Sequence, residues 1–261
     1  MREWVLSEVP YGYVKEHSYE VAVLPMGATE PHNLHLPYGT DTYQAQAIAE
    51  RACELAWKQG ARVVSLPPIP YGTETNMREF PLAMNVMPST LLAMIRDLLD
   101  SLARHNIKKV VLVNGHGGND FKPLLRELYG HQGVALFLCD WFKVLTAAEQ
   151  QEIFTKREDH AGEVETSLML HFRPDLVARD EATGKLQADA GATAKPRFEA
   201  VNRGWVSITR PWHLLTTNTG SGDPHAATAE KGKKLTDILV ERLGGFLVEL
   251  AGSKMDDTFP F

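Results

Sequence analysis

Between residues 19 and 140, short apolar runs alternate with segments of helical periodicity, and this alternation restricts the fold more than any other feature of the chain. Tyr19 to Pro25 (YEVAVLP) is rich in valine and leucine and reads as a strand buried on both faces. Thr42 to Gln59 carries Ala45, Ile48, Ala49, Ala52, Leu55 and Ala56 at the three-and-four spacing of an amphipathic helix, and Gly60 stops it. Ala61 to Leu66 predicts a second buried strand, and the segment from Pro88 (PSTLLAMIRDLLDSLARHN) a helix opened by a proline. A strand at Lys108 to Asn114, a short helix at Phe121 to Tyr129 and a strand at Gly133 to Cys139 follow. This order implies right-handed crossovers and an α/β fold, a mostly parallel sheet with helices on both faces. Further on, we expect a helix at about Gly162 to Phe172, a Gly/Ala-rich stretch at 184 to 194, a strand at Trp205 to Thr209 and a closing helix from about His225 to Leu250. Neither a repeat nor a clean linker interrupts the 261 residues, so the expectation is one domain.

Charge narrows the partners. A net charge of -6 and a pI near 5.9 offer no basic field for a phosphate backbone, which argues against nucleic acid. No window approaches the roughly 18 apolar residues of a membrane span, and MREWVLSEVPYG lacks the pattern of a secretory leader; the expectation is a soluble, cytoplasmic protein. Cys53 and Cys139 have no paired spacing and read as reduced packing residues.

Ligands of open α/β sheets bind beyond the carboxyl ends of the strands. The loop after the first strand supplies Glu30, His32, His35 and Asp41, and the loop after the third supplies His116 within NGHGGN. Imidazole nitrogens and carboxylate oxygens suit zinc, manganese or iron, and a carboxylate such as Asp41 can bridge two metals. Gly117 and Gly118 also suit a phosphate-binding turn, but the lysine of a P-loop and the dinucleotide fingerprint are missing. A third cluster, DHAGEVETSLML, spans 159 to 170. Glu163 and Glu165 cannot share a helix face, so at most one of them reaches a metal from it. His160, just before the helix, is placed to move a proton or to bond the helix start. Trp205, Trp212 and His213 read as core or subunit contacts.

The E-x-H-x8-D pattern at Glu30, His32 and Asp41, the NGHGGN block and HAGEVETSLML together resemble the creatininase (creatinine amidohydrolase) family over roughly residues 20 to 175. GSGDPHAATAEKGKK at 220 to 234 extends the resemblance. It implies a three-layer αβα sandwich, a homohexamer and two divalent metal ions. By position, Glu30, Asp41 and His116 would hold one metal, and His32 and a further glutamate the second, with Asp41 between them. Where creatininase has a metal-binding glutamate two residues after the histidine, this chain has Gly118; we expect Glu163 to supply the missing carboxylate. His160 would carry the catalytic proton, oriented by Asp159. Trp141 matches one of the two tryptophans that enclose creatinine, whereas Lys156 occupies the position of the other and speaks against creatinine itself. Gly117 and Gly118 would line the substrate site with them. The implied activity is hydrolysis of a carbon–nitrogen bond other than an ordinary peptide bond, in a small cyclic amide or a formamide. Relatives with the NGHGGN form include formamidopyrimidine deformylases and a mycofactocin-maturing peptidase. A metal-binding assembly or regulatory subunit without catalysis is the alternative.

Overall fold

Strands β1 (Val21–Met26), β2 (Val63–Ser65), β3 (Lys109–Asn114) and β4 (Ala135–Asp140) form one parallel sheet in the order β2-β1-β3-β4. The structure is a computed structural model that describes residues 1–155 and 160–261. Val21 pairs with Lys109 and Met26 with Asn114, while Lys109 pairs with Ala135 and Asn114 with Asp140. The three longer strands therefore end in step, and the loops leaving them open at one rim of the sheet.

The helices are α1 (Tyr11–Glu16), α2 (Thr40–Lys58), α3 (Pro88–Arg104), α4 (Lys122–Glu127), α5 (Ala147–Ile153), α6 (Glu163–Phe172), α7 (Glu199–Asn202), α8 (Trp212–Leu215) and α9 (Ala229–Gly252). Alternate strand residues serve opposite layers. Val21, Val23, Val111 and Val113 pack with Ile48 of α2, Leu168 of α6 and Leu239 of α9. Ala22, Leu24, Val110 and Leu112 pack with Ile95 of α3 and Leu124 of α4 on the other side. Burying a side chain of this size contributes roughly 1.5–3 kcal/mol. With both faces of every central strand occupied, the result is the expected three-layer αβα sandwich. None of the described helices is long and apolar enough to cross a membrane. Cys53 and Cys139 are free thiols.

Two local expectations are corrected. The segment Trp205 to Thr209 is not a strand; Trp205 and Ile208 are 73% and 52% exposed, so nothing buries an apolar face there. The last helix begins at Ala229 rather than His225, because Pro224–Ala226 forms a separate 3-10 turn and the Thr228 hydroxyl caps Lys231 N–H. Helices α1 and α5 were not anticipated; α5 starts at a reciprocal cap between Thr146 and Glu149.

One contact fixes where α6 lies. A Cβ on Gly232 would sit 2.0 Å from the Ser167 carbonyl oxygen, so glycine alone lets α9 cross α6 this closely. Ser167 Oγ also accepts the Thr228 N–H.

Candidate metal centre

The β1–α2 loop carries Glu30 and His32, and the first turn of α2 carries Asp41, all nearly solvent-free. His32 Nδ1 lies 3.0 Å from the Glu30 carbonyl oxygen, an acceptor only, so this nitrogen donates. Its Nε2 then faces Asp41 Oδ1 at 3.0 Å, Glu30 Oε1 at 3.8 Å and Glu165 Oε2 at 3.9 Å. His116 arrives from the end of β3, its N–H held by the Asn114 side chain. His116 Nδ1 is 3.0 Å from both Glu30 Oε1 and Asp41 Oδ2. The two oxygens of Asp41 thus address two different histidines.

On the far side of the His116 ring, Nε2 donates to the Thr73 carbonyl oxygen at 3.2 Å, and Glu74 Oε1 lies 2.9 Å away. Gly118 makes the room: a Cβ there would stand 2.2 Å from His116 Nε2 and 2.4 Å from Thr73 O.

The start of α6 brings Glu165, not Glu163, to this cluster, which corrects the expectation for Glu163. Ala161 turns the chain with φ 52°, and its N–H donates to Glu165 Oε2 at 2.6 Å. Glu163 points toward α9, where its carboxylate pairs with Lys231 and accepts from the Thr155 N–H and hydroxyl at 2.8 Å each. Residues two apart on a helix point in opposed directions, and the tight α6–α9 crossing decides which glutamate turns outward.

His160 Nε2 donates to the Pro31 carbonyl oxygen at 2.9 Å, and Nδ1 faces Glu30 Oε1 at 3.8 Å. The ring lies 4.3 Å from that of His32 and meets Trp212 edge-on. Asp159 and Lys156 lie outside the described residues. His35 turns away and bonds the Thr166 hydroxyl at 2.8 Å.

Above the cluster is a cavity of about 520 Å³, lined by Glu30, Asp41, His116, Gly118, His160 and Trp212 among others. A second cavity of about 720 Å³ is lined by Trp141, Phe142 and Phe154, and Gly117 and Glu165 belong to both. Trp141 is buried, with Nε1 lacking a hydrogen-bond partner among the described residues. Trp212 packs as expected in a buried cluster with Met77 and Leu215, and it also forms a wall of the first cavity; its Nε1 donates to the Thr219 carbonyl oxygen at 2.7 Å.

The electrostatics are those of carboxylates crowded out of water. Burial raises Glu30 well above the usual carboxylate range and lifts Glu165 to about 6. Burial opposes charge on His32 and His116 as well, but the surrounding carboxylates outweigh it, raising His32 to about 10 and His116 well above its ordinary value. Asp41 is held far below the carboxylate range despite burial, because His32 and His116 flank it. Burial, then the charge of His32, pushes His160 down to about 3. The donor set fits divalent cations: Glu30 Oε2 is buried with no hydrogen-bond partner among the described residues, and Asp41 Oδ2, 3.0 Å from His116 Nδ1, makes no aligned hydrogen bond. Glu30, Glu74 and His116 lie close enough to share an ion, but Glu74 stands at His116 Nε2, opposite the Nδ1 that faces Glu30 and Asp41; His32, Asp41 and Glu165 form a second group.

Two of these residues escaped the sequence reading. Glu165 was visible as one of a pair that only tertiary packing separates. Glu74 sits alone in a loop with no motif around it.

The sequence model of one family, described as "Creatininase: Creatinine amidohydrolase", matches residues 4–247. A Bacteroides fragilis crystal structure named as a candidate creatinine amidohydrolase is 35% identical, with a TM-score of 0.89 over 98% of this chain and 100% of that one. The mycofactocin precursor peptide peptidase of Mycobacterium ulcerans is 28% identical over 84% of this chain and 81% of its own length. The creatinine amidohydrolase of Pseudomonas putida is 27% identical over 88% and 89%.

Proposed function

The chain belongs to the creatininase (creatinine amidohydrolase) family, and from that membership we propose that it is a metal-dependent amidohydrolase that opens a carbon–nitrogen bond in a small cyclic amide or a formamide. The observation that carries this reading is the Asp41 carboxylate, with Oδ1 3.0 Å from His32 Nε2 and Oδ2 3.0 Å from His116 Nδ1. Glu30, Asp41 and His116 would hold one divalent ion, and His32, Asp41 and Glu165 the other, zinc, manganese or iron by donor type. Such ions, when bound, supply a water acidic enough to yield hydroxide near neutral pH and polarise the carbonyl under attack.

The protein's own contribution is proton handling and shape. The His160 Nε2–H is tied to Pro31 O, so Nδ1, 3.8 Å from Glu30 Oε1, keeps its lone pair and can take a proton from the attacking water and pass it to the leaving nitrogen. Asp159, beside it in sequence, is proposed to help hold the ring. Gly117 leaves open space where a side chain would stand, giving substrate access to the backbone. Trp141 and Trp212 supply apolar walls, and Lys156 is proposed to take part in choosing the substrate.

A second reading, a short peptide as substrate, is favoured by one observation: the two cavities of about 520 and 720 Å³ share Gly117 and Glu165, more room than one small ring occupies. The mycofactocin precursor peptide peptidases among the relatives point the same way. Turnover of the metal-loaded protein on a panel of creatinine, N-formyl amines, cyclic amides and short peptides separates the two. Bound metal without turnover on any amide overturns both in favour of a non-catalytic role. Homohexameric assembly and a cytoplasmic location are further proposals from family likeness; analytical ultracentrifugation tests the first and cell fractionation the second.

A further inference from the structure

The His116 imidazole has carboxylates at both of its nitrogens. Glu30 and Asp41 stand at Nδ1, and on the opposite side Glu74 Oε1 lies 2.9 Å from Nε2. Glu74 is fully buried, and among the described residues neither of its carboxylate oxygens has an aligned hydrogen bond. A charge in that position is costly unless something close by is positive.

The surrounding loop holds the carboxylate there. The Glu74 N–H donates to Asn85 Oδ1 at 2.8 Å, and the preceding Thr73 N–H donates to Asn119 Oδ1 at 3.0 Å. Asn119 follows His116 by three residues, and its N–H donates to the His116 carbonyl oxygen at 3.2 Å. Histidine and glutamate are therefore positioned by one hydrogen-bonded unit. The missing side chain at Gly118 is what lets Nε2 approach Thr73 and Glu74.

We infer that Glu74 is a positioning residue for His116: its negative charge keeps the proton on Nε2, so that Nδ1 presents its lone pair to the cation shared with Glu30 and Asp41. A carboxylate behind a metal-binding imidazole fixes the tautomer and raises the basicity of the ligating nitrogen. When a cation replaces the proton at Nδ1, the proton at Nε2 remains, with Thr73 O as its direct acceptor and Glu74 as its counter-charge. This rests on the proposed metal site, and it adds a residue that contributes charge without touching the ion.

The test uses zinc alone, with wild type and Glu74→Gln. Glutamine keeps size and a hydrogen-bonding oxygen but removes the charge. The expected result is an unchanged thermal midpoint without metal and a zinc affinity lower by about 10- to 100-fold, measured by chelator competition. In zinc-loaded wild type, ¹⁵N NMR of the His116 ring should show a protonated Nε2, with its N–H proton signal moving upfield in Glu74→Gln. Equal zinc affinity in the two proteins overturns the inference and leaves the metal site intact. Loss of the Nε2 proton on zinc loading also overturns it, since the ion would then bind on the Glu74 side. Wild type that takes up no zinc refutes the metal site itself, which separates the two failures.

Discussion

Oδ1 of Asp41 lies 3.0 Å from Nε2 of His32, in the same carboxylate whose Oδ2 addresses His116. One side chain thus joins the two halves of the site, and its removal is expected to affect both. Asp41→Asn should bind less than one equivalent of metal by elemental analysis after dialysis against a metal buffer. Two retained equivalents would show that Asp41 is not shared.

The two glutamates of α6 give opposite predictions. Glu165→Gln should lose one metal equivalent, because its carboxylate shares a group with His32 and Asp41. Glu163→Gln should keep both but unfold more easily, by about 2 kcal/mol, because Lys231 loses a buried partner while retaining some solvent. Metal content and urea midpoints of the pair decide it, and metal loss in Glu163→Gln alone would restore the assignment read from sequence.

That reversal marks the limit of what the chain reveals by itself. Val21, Val23, Val111 and Val113 on one side and Ala22, Leu24, Val110 and Leu112 on the other make two-faced strands, and this pattern is legible as apolar runs. Glu30, His32, Asp41 and His116 were legible because strand-end loops of a parallel sheet converge at one rim. The choice between Glu163 and Glu165 depends on the rotation of α6 about its axis, set by Gly232 against Ser167 O from a helix more than sixty residues downstream. Glu74 reaches the site from a loop and Trp212 from the start of the one-turn helix α8, segments whose paths no local periodicity encodes.

Neighbouring glycines in NGHGGN should respond differently to a methyl group. Gly118→Ala places Cβ against His116 Nε2 and Thr73 O, so the ring must move and metal affinity should fall at least about tenfold, an effect of the size seen when the partners of a ligand are lost. Gly117→Ala meets nothing within 4 Å and should retain metal affinity within about twofold. Isothermal titration with manganese compares them; equal behaviour would refute the packing argument.

His35, buried against the Thr166 hydroxyl, supplies a pH dependence of its own. Burial lowers its pKa to about 4 from an ordinary 6.5, so the folded state holds this proton less well than the unfolded chain. Its contribution to stability is fully present above pH 6.5 and is lost as pH falls through about 4, on the order of 3 kcal/mol in all. In the presence of a chelator, urea midpoints of His35→Gln should fall less between pH 7 and pH 4 than those of wild type. Parallel curves would remove His35 from the account.

The proton-transfer assignment concerns His160. His160→Ala should retain the metal complement of wild type and lose about 100-fold or more in turnover on whichever amide of the panel is cleaved. Undiminished turnover would pass that role to another group.

The central claim is tested most directly by anomalous diffraction from crystals grown with manganese. The account predicts two peaks, one in contact with Glu30, Asp41 and His116 and the other with His32, Asp41 and Glu165. No peak near Asp41, or a peak ligated by Glu163, would contradict it.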